Sequence, residues 1–472
     1  MAAPSEHRAV ALAKKHEDYH RLSIEYQRRF ESSPVEGNRT KIPVKQQTPI
    51  TSALDKIQTY PFVSFTLGPS ETKYNLVDPD AEWDDTSSFG ELTAPDVGAI
   101  LEASQPSSFG KGDQTVYDTN YRNGREIPAD AVKFREGYEE KLSSKIKRVL
   151  CSTLFIGKTV KLVFYKLALY EKGGHFNWHR DSTHGDNHHG TVLVALNTSW
   201  EGGRFHLCHN GAETHFDMHP VIEKDPQTRT TTSISLRVVA FYTDVEHKVE
   251  TVTEGVRLVL QYDVFIQQED EYPEYQYLRI PNSQLFTEHF EPVADAQGPK
   301  IFYPAALKDL SDAISDAHER GTGEVSIPLR HLYRQASIRP EYLKGVDAVV
   351  YENLSQTFKV SLLPILLLET VFGDGGVMTA VVKYDGESSR NERLFQPVRR
   401  RYRNENDSDT ASEGEQGQNL SKRISEFHMS GCTDLLQISK EDYQDHAGNE
   451  PQNGSASYFG GGMFICAKDS ME

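Results

Sequence analysis

The chain of 472 residues is acidic and 37% hydrophobic, which limits the classes of protein it can belong to. With 51 Lys and Arg against 69 Asp and Glu, its formal net charge is −18. That sign argues against a general nucleic-acid binder, because neutralising phosphates needs a basic surface. The four cysteines form no Cys-x-x-Cys pair, which disfavours a disulfide framework and a thiolate zinc site: Cys151, Cys208, Cys432 and Cys466.

The sequence also argues against membrane insertion. The longest apolar run, around Leu362 to Leu368, is far shorter than the roughly 20 residues that cross a bilayer. The first twenty residues lack the apolar segment of a secretory signal. We therefore expect an intracellular protein, cytoplasmic or nuclear, with no membrane association; the sequence leaves its oligomeric state open.

The first 150 residues predict a helix, a linker and a lead-in region. Residues 5–31 read as a charged helix, and the polar stretch after it contains Pro34, Pro43 and Pro49, which is typical of a linker. Further along, the pattern predicts a strand, a short helix and a longer helix: Phe62 to Thr66, Ala94 to Leu101 and Lys133 to Val149.

From Lys158 the pattern becomes that of a β domain. The segment TVKLVFYKLALYEKGG alternates apolar and polar residues, as a strand with one buried face does. Two strands flank Gly202-Gly203, and further strands flank a turn at Glu254-Gly255. We predict a mainly β, α+β fold with a double-stranded β-helix (jelly-roll) core. Its interior is predicted to be lined by apolar side chains such as Val192, Val194, Phe241 and Leu258.

The C-terminal part predicts an α+β region with a polar interruption. Helices are expected over Ile301 to Ala317 and Leu343 to Leu354, with strands over Phe358 to Leu368, Val377 to Lys383 and Tyr458 to Cys466. Residues 385–423 have the composition of a disordered insertion. Their basic cluster is a candidate localisation signal, or else only solvated charge: Arg399, Arg400, Arg401 and Arg403.

These patterns divide the chain into six predicted segments. They are 1–50 (N-terminal helix and linker), 51–154 (lead-in that packs on the core), 155–268 (core domain), 269–384 (α+β region), 385–423 (disordered insertion) and 424–472 (C-terminal continuation).

The most informative residues are His179, Asp181 and His247. On an extended chain His179 and Asp181 point to the same side, so they can address one ion together with a distal histidine. Two imidazoles and one carboxylate on one face of a metal are the arrangement of non-haem Fe(II) oxygenases. The segment 175–219 holds nine of the 18 histidines, however, so solvated loop histidines are the alternative interpretation.

Arg257 strengthens the metal interpretation. If HKVETVTEGVR forms a hairpin, the turn at Glu254-Gly255 brings Arg257 onto the strand next to the one with His247. A permanently charged, bidentate donor at that distance suits the far carboxylate of an iron-chelating oxoacid. A surface arginine in a hairpin is the alternative.

Three segments together resemble the Fe(II)/2-oxoglutarate-dependent dioxygenase domain of the prolyl 4-hydroxylase-like type: YEKGGHFNWHRDS, TVLVALNTSWEGGRFHL and AFYTDVEHKVETVTEGVRLVLQYDV. The resemblance covers about residues 158–267. Three flanking segments look like parts of large fungal-type proteins built on this domain, whose substrate is unassigned: SFGKGDQTVYDTNYR, YLKGVDAVVYENL and HAGNEPQNGSASYF.

The resemblance implies that His179, Asp181 and His247 ligate Fe(II), that Arg257 pairs with the distal carboxylate of 2-oxoglutarate, and that Tyr170 hydrogen-bonds this cosubstrate. It implies Fe(II), 2-oxoglutarate and O2 as cofactors, with ascorbate as a candidate reductant. Candidate substrate contacts near the metal or the barrel mouth are Asn177, Trp178, Asn197 and Thr243.

The chain departs from the family pattern at two positions and is rich in loop histidines. Trp178 replaces the proline often found before the first ligand, and Lys248 replaces the acidic residue that commonly follows the distal histidine. We expect three further histidines to be solvated or to contact substrate: His184, His188 and His189.

The activity implied by the resemblance is hydroxylation of a protein or peptide side chain, prolyl-type first, with conversion of 2-oxoglutarate to succinate and CO2. A catalytically silent jelly-roll scaffold is the alternative, but loss of a ligand would be its expected mark and all three ligands are present. A zinc hydrolase is a weaker alternative, because it leaves Arg257 and Tyr170 without a role.

Overall fold

The computed structural model describes residues 44–45, 48–57, 61–72, 75–77, 88–111, 114–134, 138–155, 157–181, 183–209, 212–267, 304–333, 335–371, 377–383, 427–428, 439–447 and 450–468. The predicted helix over 5–31 and the predicted disordered insertion over 385–423, with its arginine cluster, lie outside these residues.

The strands in chain order are β1 (Val44–Lys45), β2 (Phe62–Leu67), β3 (Asn75–Val77), β4 (Ser88–Glu91), β5 (Ala94–Pro95), β6 (Gln105–Pro106), β7 (Phe109–Lys111), β8 (Gln114–Val116), β9 (Arg122–Asn123), β10 (Arg125–Pro128), β11 (Lys133–Phe134), β12 (Thr159–Tyr170), β13 (His175–His179), β14 (His188–Ala195), β15 (Trp200–Gly202), β16 (Phe205–His209), β17 (Ala212–Phe216), β18 (Val221–Lys224), β19 (Thr231–Tyr242), β20 (Glu246–Val249), β21 (Val252–Gly255), β22 (Arg257–Gln267), β23 (Val325–Pro328), β24 (Phe358–Val371), β25 (Val377–Lys383), β26 (Phe427–His428), β27 (Ser439–Ala447) and β28 (Glu450–Ala467). The α-helices are α1 (Pro49–Lys56), α2 (Pro69–Thr72), α3 (Val97–Ala103), α4 (Tyr138–Ser152), α5 (Pro304–Glu319) and α6 (Gly345–Thr357), and short 3-10 turns cover Ala129–Ala131, Gln335–Ser337 and Pro340–Tyr342.

Contacts divide the described residues into two compact units, one within 61–267 and one formed by the described residues of 44–57 together with 304–468. In the first unit a large sheet has the order β18-β19-β14-β22-β12-β10-β6, with β2 also paired to β19. A smaller sheet has the order β17-β16-β20-β13-β9. One cavity is lined by residues of both sheets, so the predicted double-stranded β-helix core is confirmed.

Strand β12 confirms the predicted alternation only in its first half. Its burial alternates from Thr159 to Phe164, but the strand is buried on both faces from Leu167 to Tyr170. The register to β22 shifts between Phe164 and Lys166, which leaves Tyr165 as the extra residue of a β-bulge. A bulge places two consecutive residues on one face of the sheet, and both Tyr165 and Lys166 line the cavity.

Three of the four predicted lining residues of the barrel need a correction. The fourth, Phe241, is the register partner of Thr191, and its ring centroid lies 4.7 Å from that of His247, on the ligand side. On β14 and β22 it is Leu193 and Val259 that face the cavity. Their neighbours Val192, Val194 and Leu258 are fully buried and, since successive side chains alternate, face the other side of the large sheet. The alternation cannot be read from β14 because all of its residues are buried.

The predicted hairpin between the strands of His247 and Arg257 is wrong. Strand β20, with His247, pairs in the small sheet, whereas β22, with Arg257, pairs with β12 and β14 in the large sheet. The intervening β21 pairs with β15, and Gly255 lies opposite Trp200. Gly255 has a φ of +76°, and a Cβ added to it would lie 2.0 Å from the carbonyl oxygen of Ser199. The chain therefore crosses between the sheets here instead of turning back.

The second unit contains a seven-stranded sheet with the order β1-β26-β23-β28-β24-β25, and β27 pairs with β28. The predicted helices and strands of this region are observed with ends shifted by a few residues, except that β28 begins at Glu450, eight residues before the predicted strand start at Tyr458. Pro49, predicted as linker, instead begins α1, because Thr48 caps the helix with a capping box and proline suits its first turn. In the first unit, likewise, the helix predicted from Lys133 begins at Tyr138.

In the part of the chain that the structure describes, no helix is both long and apolar enough to cross a membrane.

Candidate metal and cosubstrate site

The structure brings His179, Asp181 and His247 together. One nitrogen or oxygen from each lies within 4.8 Å of the others. His179, at the end of β13, is the register partner of His247 on β20, and their ring centroids are 4.0 Å apart. Asp181 follows two residues after the strand, with Oδ1 3.6 Å from Nε2 of His247. This spacing fits three ligands of one ion.

Backbone carbonyls fix the tautomers of both histidines. Nδ1 of His179 lies 2.7 Å from the carbonyl oxygen of Asn177, and Nδ1 of His247 lies 3.1 Å from that of Val245. A carbonyl oxygen only accepts, so each Nδ1 carries a proton and donates it. In its neutral form each ring therefore has an unprotonated Nε2, which is how metal-ligating histidines are oriented in proteins.

Asp181 is held by a residue that the sequence analysis missed. The hydroxyl of Thr191 donates to Oδ2 of Asp181 at 2.6 Å, leaving Oδ1 directed at His247. Burial by itself would raise the pKa of Asp181, but the adjacent His247 and His179 and this hydrogen bond hold it far below its usual range. Burial also lowers the pKa of His179 well below its usual value. A carboxylate and two imidazoles are the donor set that suits Fe(II).

Arg257 is a buried cation aimed into the same cavity. Its side chain is among the largest that are fully buried, with 1% exposure. Among the described residues, its Nε and Nη2 have no hydrogen-bond partner. The guanidinium carbon lies 5.6 Å from the ring centroid of Tyr170, its register partner on β12. Burial lowers the pKa of Arg257 to about 10, so it stays charged at neutral pH and fits an anionic cosubstrate.

The cavity measures about 530 Å³ and has an apolar wall beside the ligand set. This wall is formed by side chains from both sheets: Ala168, Phe176, Leu193, Phe205, Val249 and Val259. Such a wall excludes water from a reactive centre.

Further charged side chains line the cavity, and the sequence did not predict them. Arg122 and Lys166 both contact Oε2 of Glu126, at 3.0 and 3.1 Å. Arg180 contacts Glu246 at 3.2 Å. Of these charged residues, only Lys166 could have been noticed in the sequence, because it interrupts an apolar strand pattern.

The prediction that His184, His188 and His189 are solvated needs correction for two of them. His188 and His189 are each only 2% exposed. His184 is more open, and its Nδ1 lies 2.6 Å from Oδ2 of Asp263 on β22. The run that looked polar therefore contains two buried histidines, and of the three only His184 lines the cavity.

His184, His188 and Asp263 are close enough to suggest a second metal site, but the hydrogen bonds oppose it. Nδ1 of His188 accepts the backbone N–H of His184 at 3.0 Å, so its proton sits on Nε2. That Nε2 faces the carbonyl oxygen of Gly190 at 3.1 Å and Oδ1 of Asp263 at 3.6 Å. A protonated nitrogen cannot ligate, so the cluster is a hydrogen-bonded one.

The structure does not bring the four candidate substrate contacts to the cavity. Asn177 and Asn197 donate side-chain hydrogen bonds to backbone carbonyls, at 3.1 and 2.7 Å. Thr243 is 3% exposed, and its backbone N–H donates to the carbonyl oxygen of His189 at 3.2 Å. The ammonium nitrogen of Lys248 lies 4.8 Å from the centroid of the Trp178 ring. The two departures from the family pattern thus form one contact.

Residues 165–262 match the family model described as the 2OG-Fe(II) oxygenase superfamily. Among solved structures, the chain is similar to a prolyl-4-hydroxylase from Pseudomonas putida, with 15% identity and a TM-score of 0.26 over 46% of this chain and 100% of that one. It is also similar to a prolyl hydroxylase from Trichoplax adhaerens in complex with a hypoxia inducible factor peptide fragment, with 16% identity and a TM-score of 0.26 over 46% and 90%. No curated protein matches the chain.

At these identities and scores the solved structures carry no statement about function, and the assignment rests on the family model. The matched range begins at Tyr165 on β12 and ends at Tyr262 on β22. It contains the His-Asp-His set, Tyr170 and Arg257. Residues 165–262 therefore form a domain of the 2OG-Fe(II) oxygenase superfamily, a superfamily of oxidoreductases.

Proposed function

We propose that this chain is an Fe(II)- and 2-oxoglutarate-dependent dioxygenase that hydroxylates a protein or peptide side chain, with proline as the first candidate. The prolyl part of the proposal is supported by the resemblance of its motifs to prolyl 4-hydroxylase-like domains. The cofactors are Fe(II), 2-oxoglutarate and O2, and ascorbate is a candidate reductant.

The buried guanidinium of Arg257 is the observation that carries this proposal. Arg257 is 1% exposed, and two of its nitrogens have no hydrogen-bond partner among the described residues. Burying such a charge is costly unless a ligand pairs with it. Arg257 lines the same cavity as the His-Asp-His set. A dicarboxylate with one end at the metal and the other at Arg257 would satisfy both features.

Each residue of the site has a separate task in this proposal. His179, Asp181 and His247 would hold the metal, and Thr191 keeps Asp181 oriented toward it. Arg257 would pair with the distal carboxylate of 2-oxoglutarate, with Tyr170 beside it. Iron and 2-oxoglutarate held by these residues would supply O2 activation coupled to decarboxylation, giving succinate, CO2 and a hydroxylated product.

The first experiment is an anaerobic titration of the apo-protein with Fe(II) and 2-oxoglutarate, followed by the visible charge-transfer band of the chelated complex. We expect a band in the wild type and none in His179→Ala. In Arg257→Gln the band should need at least about tenfold more 2-oxoglutarate, since a charge-assisted hydrogen bond is lost.

A folded wild-type protein without the band would contradict the proposal and favour the scaffold alternative. A band without succinate formation in air, with or without ascorbate, would keep the cosubstrate site but leave only a binding role. A protein that retains zinc and forms no band would favour the hydrolase.

A further inference from the structure

The cluster of Arg122, Glu126 and Lys166 has more positive than negative charge inside the cavity. Both cations share one carboxylate oxygen, Oε2 of Glu126, at 3.0 and 3.1 Å. Arg122 is 6% exposed and Lys166 is 9% exposed. Burial by itself would raise the pKa of Glu126, but Lys166 and Arg122 lower it, so this carboxylate stays ionised. The cluster therefore carries a net charge of +1 that water screens poorly.

Each of the two cations also has hydrogen-bond donors that are not used by the described residues. Nη1 of Arg122 donates to the carbonyl oxygen of Ser108 at 2.5 Å, but its buried Nε has no partner among the described residues. The Lys166 ammonium can donate three hydrogen bonds, and its partner among the described residues is Glu126. One side of that ammonium is covered by the ring of Tyr165, with 4.7 Å to the centroid.

The cluster is built into the cavity by the bulge in β12. If the strand alternated regularly through Tyr165 instead of bulging there, Lys166 would lie on the same face as Phe164, among the apolar side chains behind the sheet. Arg122 is fixed from the other sheet, since β9 pairs with β13 and its guanidinium lies 4.6 Å from the ring centroid of Phe176. Both cations are thus held by strands, not by mobile loops.

The cluster is separate from the proposed cosubstrate position. Lys166 and Tyr170 lie on the same face of β12, four residues apart, which corresponds to roughly 13 Å along a strand. Tyr170 is the register partner of Arg257. A five-carbon dicarboxylate held between the metal and Arg257 therefore leaves the Arg122–Lys166 end of the cavity for a second molecule.

We propose that Arg122 and Lys166 form a subsite for a carboxylate of the substrate, next to the carbon that is hydroxylated. This inference rests on the proposed function and names its substrate class: a peptide with an acidic side chain, or a small acid. The net charge of +1 matches one carboxylate better than a phosphate dianion, and the unused N–H groups supply its hydrogen bonds. Glu126 holds the two cations in place and limits their affinity for anions.

The test measures binding, not turnover, on the full chain loaded anaerobically with Fe(II) and saturating 2-oxoglutarate. The probes are N-acetyl-glutamate methylamide and its uncharged isostere N-acetyl-glutamine methylamide, titrated by calorimetry. We expect the glutamate probe to bind at least about tenfold more tightly than the glutamine probe, the effect of one charge-assisted hydrogen bond. Acetate is a third probe. If acetate binds about as tightly as the glutamate probe, the subsite is assigned to small acids; if acetate binds more weakly, the subsite is assigned to peptides.

Two substitutions are expected to act in opposite directions. Lys166→Met should weaken the glutamate probe at least about tenfold, and Glu126→Gln should strengthen it, because it removes the competing charge but keeps an acceptor. If the ion cluster only stabilised the fold, the two substitutions would not change the affinity for the glutamate probe in opposite directions. Equal affinity for both wild-type probes, no binding of either, or weakening by both substitutions would overturn the subsite.

The charge-transfer band separates this failure from failure of the proposed function. If the wild type forms the band but does not distinguish the probes, only the subsite is wrong. If it forms no band, the proposed function has failed before the probes are added. The band is recorded for each variant, and a variant without it is replaced by Arg122→Gln, for which we expect the same weakening as for Lys166→Met.

Discussion

Arg257 illustrates a conflict between stability and binding at a single residue. In the ligand-free protein it has no described partner for Nε and Nη2, so the cost of removing its charge from water is not offset. We expect Arg257→Met to raise the free energy of unfolding by about 1–3 kcal/mol, measured by urea denaturation of the apo-protein. The same variant should lose its affinity for 2-oxoglutarate.

Arg257→Lys is the matched control, since it keeps a buried charge and should not gain stability. A methionine variant that is less stable than the wild type would mean that the guanidinium is already paired in the apo-protein.

His188 makes stability depend on pH. Burial lowers its pKa below the usual 6.5, so the folded protein keeps it neutral where the unfolded chain takes up a proton. The unfolded state binds more protons below about pH 6.5, and stability is therefore lost as the pH falls through that value. Asp263 acts in the opposite sense, because burial raises its pKa and favours its protonated form in the folded state.

We expect His188→Gln to flatten the decline in unfolding free energy between about pH 6.5 and 5, by at most about 1.4 kcal/mol per pH unit. His215→Gln, at an exposed position, is the matched control for the substitution itself. An unaltered slope in the His188 variant would show that other groups titrate in this range.

At the scale of secondary structure, Gly255 fixes how the chain enters β22. Its φ of +76° and the 2.0 Å distance from an added Cβ to the Ser199 oxygen make any other residue strained. Gly157 has a similar φ of +72° but nothing within 4 Å of an added Cβ. We expect Gly157→Ala to cost about 1–2 kcal/mol, the left-handed penalty alone. Gly255→Ala should cost clearly more and also weaken 2-oxoglutarate binding, because Arg257 lies two residues further on.

Thermal and urea unfolding of the two alanine variants provides the comparison. Equal costs would mean that the β15–β21 pair shifts readily to make room for the methyl group.

The sequence predicted this domain well where a strand has one buried face or where a motif is local. The His179-x-Asp181 pair and the first half of β12 are examples. Prediction from the sequence failed where tertiary contacts decide which face of a strand a side chain occupies. All of β14 is buried, so its two faces look alike in sequence and the cavity side was assigned to Val192 and Val194 instead of Leu193.

The charged end of the cavity was missed for a different reason. Arg122 lies on a two-residue strand far along the chain from Lys166, and a β-bulge decides which face Lys166 occupies. Neither fact leaves a local pattern in the sequence. His188 looked solvated because its neighbours are polar, although it begins the fully buried strand β14.

At the scale of the whole molecule, each of the two units has its own core, and Asp347 is central to the second. Its carboxylate accepts the backbone N–H groups of Arg330 and His331, both at 2.9 Å, and the hydroxyl of Tyr333 at 3.0 Å. It is 4% exposed. We expect Asp347→Ala to destabilise this unit by at least about 3 kcal/mol, because three buried donors lose their acceptor.

Differential scanning calorimetry should show two transitions in the wild type, of which Asp347→Ala lowers only one. The midpoint of the 2-oxoglutarate titration should stay unchanged, since that site lies in the first unit. A joint shift of both transitions would mean that the units unfold together.

The bulge at Tyr165 gives the cavity an intrinsic reporter. Tyr165 has no register partner on β10 or β22, while its neighbour Lys166 is paired on both sides, with Pro128 and Gln261. Its amide is the weak point of an otherwise continuous ladder, and it should exchange with deuterated solvent faster than the amides around it. Since the ring of Tyr165 covers the Lys166 ammonium, an anion bound to that ammonium would reduce local opening of the backbone at Tyr165. Occupancy of the charged end could then be followed as a slowing of one backbone amide, in a protein without any label.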